Sequence, residues 1–190
     1  MEHRRINILL SHRNFTEKRE YTFSGIIITK YLTNQPTTLD PSITNEPLIY
    51  FHTEAPLAFE LRASIESRLR FWFAQVIQNE GYELTELNYI FCTDEYLHEM
   101  NVQFLQHDTL TDVITFDNSD DECKIEGDIF ISVPRIEENA EKFDAPFLEE
   151  LKRVMVHGLL HLLGYGDKTE EEKKVMTEKE DYYLKSAKQY

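Results

Sequence analysis

The clearest chemical feature of this sequence is a pair of histidines, His157 and His161, in an otherwise apolar run. Residues at this spacing project from the same face of a helix, one turn above the other. Two neutral imidazoles so arranged are a common ligand pair for a first-row transition metal, although most isolated pairs are surface or hydrogen-bonded core residues. The pair therefore predicts a metal site if a further ligand lies nearby.

The residues after the second histidine can supply that ligand. Gly164 is placed to end the helix in a left-handed conformation and to reverse the chain. The reversal brings Asp167 towards the histidines as a third, oxygen ligand. Two imidazoles and one carboxylate leave a fourth position open, which is typical of a catalytic rather than a structural zinc site. We therefore expect one catalytic Zn2+ ion bound by His157, His161 and Asp167.

Two other kinds of metal chemistry use similar ligands. The zinc peptidase motif H-E-x-x-H requires a glutamate after the first histidine as general base, and this chain has Gly158 there. Non-haem iron centres also use two histidines and one carboxylate, but those ligands usually come from a β-barrel, so a helical pair favours zinc. We expect a zinc hydrolase and retain a metallopeptidase-like hydrolase as an alternative.

Three segments carry a resemblance to a known family, and they occur in the family's order. They are residues 111–116 (Thr-Asp-Val-Ile-Thr-Phe), 127–132 (Gly-Asp-Ile-Phe-Ile-Ser) and 157–165 (His-Gly-Leu-Leu-His-Leu-Leu-Gly-Tyr). On these segments the chain resembles the YbeY-type endoribonucleases, bacterial proteins of ribosomal RNA maturation. The resemblance covers residues 48–185, and its histidine segment is the most specific part.

The chain departs from the family pattern at two positions. The family's usual third metal ligand is a histidine, where this chain has Asp167. This change is chemically tolerable because a carboxylate oxygen also binds zinc. The family usually has an arginine shortly before the Thr-Asp motif, where this chain has Leu105.

The resemblance implies a metal-dependent endoribonuclease specific for single-stranded RNA. It further implies a role in maturing the 3′ end of small-subunit rRNA and in ribosome biogenesis, with small-subunit components as partners. A non-catalytic, ribosome-associated protein with a structural zinc ion is a second alternative. No apolar run approaches the roughly 20 residues that a membrane helix needs, so we expect a cytoplasmic protein that contacts no membrane.

Two aspartates in the strand segments are candidate catalytic residues. Asp112 and Asp128 can each orient a ligand histidine or the water at the metal. Strand-end aspartates that bond to local backbone are equally common.

Two basic side chains are candidates for RNA binding. Arg153 lies one turn before His157 and can meet a phosphate, although an ion pair with Glu149 or Glu150 would also explain it. His107 precedes the Thr-Asp motif and can contact a phosphate where the family arginine is missing, but a lone loop histidine is more often solvated.

The charge of the chain is unusual for an RNA enzyme. The net charge is −15, from 20 Lys and Arg against 35 Asp and Glu, whereas phosphate contacts normally require a basic face. Acidic helix surfaces at 170–172 and 178–181 can account for much of this charge. Local basic groups would then contact RNA. The two cysteines, Cys92 and Cys123, suggest neither a disulfide framework nor a metal site.

The sequence divides into an extension, residues 1–47, and a domain, residues 48–190. We expect the extension, with one strand at 21–32, to be poorly ordered and without function, and Leu48 to be the native initiation site. We expect the domain to be α+β, with a small mixed four-stranded sheet, about five helices, and the metal site on a helix and the turn after it. Predicted strands are 48–52, 87–92, 112–117 and 125–133, and predicted helices are 58–80, 94–105, one from 134, 147–163 and 169–188.

Overall fold

The computed structural model describes residues 18–23, 26–31, 46–55, 57–105 and 108–187. The chain divides into two compact units at Asn45 and Glu46.

In the first unit, strands β1 (Lys18–Phe23) and β2 (Ile26–Tyr31) pair in antiparallel fashion. The sequence predicts one strand here, and that prediction is wrong because it overlooks Ser24-Gly25, a dipeptide typical of turns. Most of the remaining extension lies outside the described residues, so its expected lack of order and function stays a prediction.

The second unit contains a four-stranded sheet in the order β3-β4-β6-β5. Strands β3 (Ile49–Thr53), β4 (Glu83–Cys92) and β6 (Lys124–Ser132) run parallel, and β5 (Val113–Asp117) pairs with β6 in antiparallel fashion. The mixed four-stranded sheet is thus as predicted.

Five helices accompany this sheet, and a short π-helical segment, Asn101–Leu105, follows the second of them. The predicted α+β class is confirmed. Among the described residues, no helix is long and apolar enough to cross a membrane. The helices are α1 (Ala63–Asn79), α2 (Asp94–Met100), α3 (Val133–Lys142), α4 (Phe147–Leu162) and α5 (Glu170–Ala187).

The main core lies between one face of the sheet and helices α1 and α4. Alternate residues of the central strands point to opposite faces, so Tyr89 of β4 and Ile129 of β6 enter this core, together with Trp72 of α1 and Leu159 of α4. Helix α2 packs on the other face, where the ring of Tyr96 stacks on that of Phe130 with centroids 6.3 Å apart.

Helix α1 begins five residues later than the pattern predicts. The residue before it, Arg62, is extended, with φ −64° and ψ 138°. Leu57, Phe59 and Leu61 are at least partly buried and alternate with exposed neighbours, as in an extended segment. Phe59 also packs edge-on against Phe91 at 4.9 Å between centroids. The alternating burial shows that the segment before α1 is extended, whereas the sequence pattern predicted that it was helical.

Gly158 lets helix α4 lie directly on the sheet. A Cβ atom there would be 2.8 Å from Cγ2 of Ile129 in β6 and 3.2 Å from Cγ2 of Val113 in β5. The glycine face of α4 is therefore pressed against β5 and β6.

We expect Gly158→Ala to destabilise the domain. Overpacking a well-packed core costs about 1–3 kcal/mol, and the better helix propensity of alanine returns up to about 1 kcal/mol. Chemical denaturation should show a net loss of about 1–2 kcal/mol. Thr177→Ala, on the exposed side of α5, is the control and should show no loss. Equal stability of Gly158→Ala and wild type would contradict the close approach of α4.

Candidate metal centre

Helix α4 and the turn after it bring the three predicted ligands together. The Nε2 atoms of His157 and His161 are 3.0 Å apart, and the Nε2 atom of His161 is 3.7 Å from Oδ2 of Asp167. One ligand atom from each residue lies within 4.8 Å of the other two, and no other trio of potential ligands in the described part of the chain does so. This donor set suits zinc, which binds imidazole nitrogen and carboxylate oxygen at about 2.0–2.2 Å.

Both imidazoles are held by their second nitrogen atoms. His157 Nδ1 hydrogen-bonds to Oε1 of Glu180 at 2.8 Å, and His161 Nδ1 to the carbonyl oxygen of Tyr165 at 2.9 Å. Each partner accepts the Nδ1 proton, so each Nε2 atom keeps its lone pair for a metal. The two rings are therefore set for Nε2 ligation.

The surroundings of His157 favour positive charge. Burial lowers its pKa, but the hydrogen bond and charge of Glu180, with the charges of Asp112 and Asp167, raise it more, so the pKa is raised overall. The negative field that stabilises an imidazolium also stabilises a bound cation.

The turn at the end of α4 is fixed by backbone bonds. Gly164 has a positive φ of 91°, and its N–H donates to the carbonyl of His161 at 3.0 Å. The N–H of Tyr165 donates to the carbonyl of Leu160, also at 3.0 Å. These two bonds form a Schellman cap, which fixes the position of the Tyr165 carbonyl that accepts from His161.

The start of α5 holds the other side of the Asp167 turn. The hydroxyl of Thr169 accepts from the N–H of Glu172 at 3.1 Å, and the Glu172 carboxylate accepts from the N–H groups of Lys168 and Thr169 at 2.9 and 2.8 Å. This is a capping box. The same carboxylate occupies the space beside Gly166, where a Cβ would lie 2.8 Å from Oε1. Asp167 thus sits between two capped helix ends.

Arg153 lies on the histidine side of α4, but its guanidinium is engaged. It donates to Oε2 of Glu180 at 3.0 Å and twice to Oδ1 of Asp181 at 3.1 Å. The partners are on α5, whereas the sequence suggested a phosphate or the nearby Glu149 and Glu150. Glu180 therefore bridges Arg153 and His157, and Arg153 orients that carboxylate.

Asp128 lies on the face of the sheet away from the histidines. Its neighbours Gly127 and Ile129 face α4, so Asp128 faces the opposite way. Its carboxylate accepts from the side-chain amides of Asn88 at 3.0 Å and Asn118 at 3.2 Å. The carboxylate that hydrogen-bonds to His157 is that of Glu180, not Asp128, because side chains alternate along β6 and Asp128 points to the opposite face of the sheet.

Asp112, the other candidate aspartate, is among the charges that act on His157. Its Oδ2 atom accepts from the side-chain amide of Asn139 at 3.2 Å, and its charge contributes to the raised pKa of His157. The negative charge of Asp112 therefore favours the protonated form of His157. The other candidate, His107, and the side chain of Leu105 lie outside the described residues.

The sequence interpretation missed Glu180 because it treated the acids of α5 as solvated surface. Glu180 is only 8% exposed and lies on the apolar side of α5. A glutamate within an apolar stripe of helical period is a signal that marks a buried, paired carboxylate. The stripe consists of Met176, Glu180, Tyr183, Leu184 and Ala187.

The small mixed sheet, its covering helices and the convergent histidine and carboxylate side chains are typical of an α+β hydrolase with a metal centre. The sequence model of one family, described as endoribonuclease YbeY, matches residues 55–188. The chain belongs to this family.

Individual relatives agree. The chain is 50% identical over 139 residues to endoribonuclease YbeY of Cytophaga hutchinsonii and 50% identical over 138 residues to that of Flavobacterium psychrophilum, in each case over 73% of this chain and 95% of the relative. The solution structure of the Thermotoga maritima protein TM1509 superimposes with a TM-score of 0.53 at 28% identity, over 73% of this chain and 88% of that one. The resemblance and the prediction of an endoribonuclease are confirmed.

Glu180→Gln should lower the pKa of His157 in the metal-free protein, since the charge and the hydrogen bond of Glu180 raise it. The folded-state pKa lies above the ordinary 6.5, so protonation of His157 stabilises the metal-free fold fully below about pH 6.5, and this contribution is lost as the pH rises through the folded-state pKa. An NMR titration of the histidine rings measures the change.

Glu178→Gln is the control, because Glu178 is on the same helix and its side chain is 66% exposed. It should leave the His157 titration as in wild type. An unchanged His157 pKa in Glu180→Gln would mean that the contact with Glu180 does not govern this histidine.

Proposed function

We propose that this endoribonuclease is zinc-dependent and cuts single-stranded RNA, with one ion bound by His157, His161 and Asp167. The observation that carries the proposal is the convergence of two Nε2 atoms and one carboxylate, within 4.8 Å of one another, at the end of α4. Both Nδ1 atoms have acceptors of their own, which supports ligation through Nε2.

Each residue has a defined task in this proposal. A bound zinc ion supplies a Lewis acid for the phosphodiester. His157 and His161 hold it as neutral ligands, and Glu180 makes His157 more basic by accepting its Nδ1 proton. Asp167 contributes a negative charge, and its side chain, 45% exposed against 23% for His161, lies on the open side of the site. Substrate would approach from that side.

The charges around the site support a role for the ion in binding phosphate. Glu180 and Asp167 lie close to the histidines, and the nearby cation, Arg153, is bonded to Glu180 and to Asp181. The guanidinium of Arg153 is therefore already hydrogen-bonded and does not face the substrate as a free phosphate-binding group. A bound ion would then supply most of the positive charge that the substrate phosphate meets at this site.

The peptidase alternative lacks support. The residue at the position of the peptidase's general base, Gly158, faces β5 and β6, and even one added carbon would be 2.8 Å from Ile129. A glutamate side chain at this position would run into the sheet rather than lie beside the metal site. RNA can supply its own nucleophile, the ribose 2′-OH, and has a better leaving group than a peptide, so it depends less on such a base.

The biological setting is proposed from the family. The enzyme acts in the cytoplasm, where ribosomes assemble, on the 3′ end of small-subunit rRNA and with small-subunit components. The catalytic domain comprises residues 48–190, and residues 1–47 take no part in cutting. The family match over 55–188 and the unit boundary at Asn45 support this division.

Asp167→Ala should lose most of its zinc, because an anionic ligand is removed, whereas Asp167→His should keep much of it, because histidine is the family's usual residue at this position. Elemental analysis after dialysis against a weak chelator measures the content. Asp120→Ala, at an exposed loop carboxylate, serves as the control. Full zinc occupancy in Asp167→Ala would refute its role as a ligand.

Purified protein should cut labelled single-stranded RNA, leave duplex RNA and a casein-type peptide intact, and lose its activity to a chelator until zinc is restored. His157→Ala should be slower by roughly 100-fold or more, since metal chemistry of this kind depends on its ligands. His98→Ala, which removes a histidine paired with Asp108, is the matched control and should cut normally. Equal cutting by His157→Ala and wild type would point to a contaminating nuclease, and peptide cleavage absent from His157→Ala would favour the peptidase.

A further inference from the structure

Glu80, at the end of α1, connects three separate parts of the domain. Its carboxylate accepts hydrogen bonds from the hydroxyl of Tyr165 at 2.7 Å, from Nζ of Lys179 at 2.8 Å, and from the hydroxyl of Tyr183. Tyr165 belongs to the turn after α4, while Lys179 and Tyr183 belong to α5. One carboxylate thus joins the end of α1 to both elements that form the metal centre.

The carboxylate is held as an anion. Burial raises the pKa of Glu80, but hydrogen bonds from Lys179, Tyr183 and Tyr165 lower it more, so that it lies below its ordinary value. The Glu80 side chain is 11% exposed. A partly buried carboxylate with three donors is oriented much more firmly than an exposed one.

Tyr165 links this carboxylate to a proposed metal ligand. Its hydroxyl is on Glu80, its ring lies under Nζ of Lys179 at 5.1 Å, and its carbonyl accepts from Nδ1 of His161. The hydroxyl of Tyr82, two residues beyond Glu80, also donates to the carbonyl of Leu163 at 3.3 Å. The end of α1 thus supports the end of α4 at two points.

We propose that Glu80 is a positioning residue of the metal centre: by holding Tyr165, it aims the Tyr165 carbonyl at Nδ1 of His161 and keeps Nε2 of His161 directed at the ion. The proposal rests on the ligand set given above. Glu80 touches neither the ligand atoms nor the substrate side of the site. Of its three donors, Tyr165 is the one whose carbonyl accepts from a proposed ligand.

Because two tyrosine hydroxyls bond to the Glu80 carboxylate, two variants can distinguish a positioning role of Glu80 from a purely stabilising one. Tyr165→Phe breaks the contact with the residue whose carbonyl accepts from His161, whereas Tyr183→Phe breaks a contact with α5, the helix that carries Glu180 but not that carbonyl. The two variants lose the same chemical group from the same acceptor. If Glu80 only stabilised the fold, the two variants would change zinc release to the same extent.

The experiment measures the rate at which the zinc-loaded proteins release their ion to an excess of a chromophoric chelator. We expect Tyr165→Phe and Glu80→Gln to release zinc about tenfold faster than wild type, as for other outer partners of metal ligands, and Tyr183→Phe to stay within about twofold. Thermal unfolding of the metal-free proteins should show a loss of stability in all three variants. If Glu80→Gln fails to fold, the two tyrosine variants decide the matter.

The outcomes are distinguishable. Zinc release from Tyr165→Phe at the wild-type rate, or equal acceleration in Tyr165→Phe and Tyr183→Phe, would overturn the positioning role and leave the ligand set intact. A wild-type protein that binds no zinc, or a His161→Ala protein that binds it as tightly, would overturn the ligand set and the positioning role with it.

Discussion

The structure depends on the close contact between α4 and the sheet at Gly158. Because this residue has no side chain, the helix backbone approaches Ile129 and Val113 to a distance that leaves no room for a Cβ. This contact fixes which face of α4 lies on the sheet, and the helical period of 3.6 residues then fixes the directions of the other side chains of α4. His157 and His161 therefore face α5 and the turn after α4, where Glu180 and the Tyr165 carbonyl accept their Nδ1 protons.

This arrangement surrounds the histidines with carboxylates and explains how an acidic chain can act on RNA. Glu180 is buried between His157 and Arg153, and its bonds to both partners offset part of the cost of burying its charge. The guanidinium is consumed by this pairing and by Asp181. The remaining negative charge around the histidines favours a cation over a phosphate anion. An ion in the centre reverses the local sign, so the chain's net charge of −15 does not decide what binds at this point.

The sequence predicted what is local and missed what is distant. His157, His161, Gly164 and Asp167 lie within one helix end and its turn, so spacing and cap chemistry suffice to bring them together. Glu180 and Glu80 are 23 and 85 residues from the groups they hold, and an acid in a helix is normally interpreted as surface. Asp128 was a candidate because its motif is recognisable, but which face of β6 meets α4 is decided by packing. The late start of α1 was visible locally as large apolar residues at every second position of 57–61, but the longer helical pattern obscured it.

The proposed ligands, two histidines and one carboxylate, are the same kind of donor set as in many zinc peptidases. What separates the two chemistries is the residue after the first histidine. In a peptidase that residue is a glutamate that activates water and protonates the leaving amine, a contribution of about 10²–10⁴-fold. Here the residue at this position, Gly158, packs against the sheet on the side of α4 that faces β5 and β6. The contact that builds the centre therefore also excludes the peptidase base, and a phosphodiester with an adjacent 2′-OH is the substrate class that depends on such a base least.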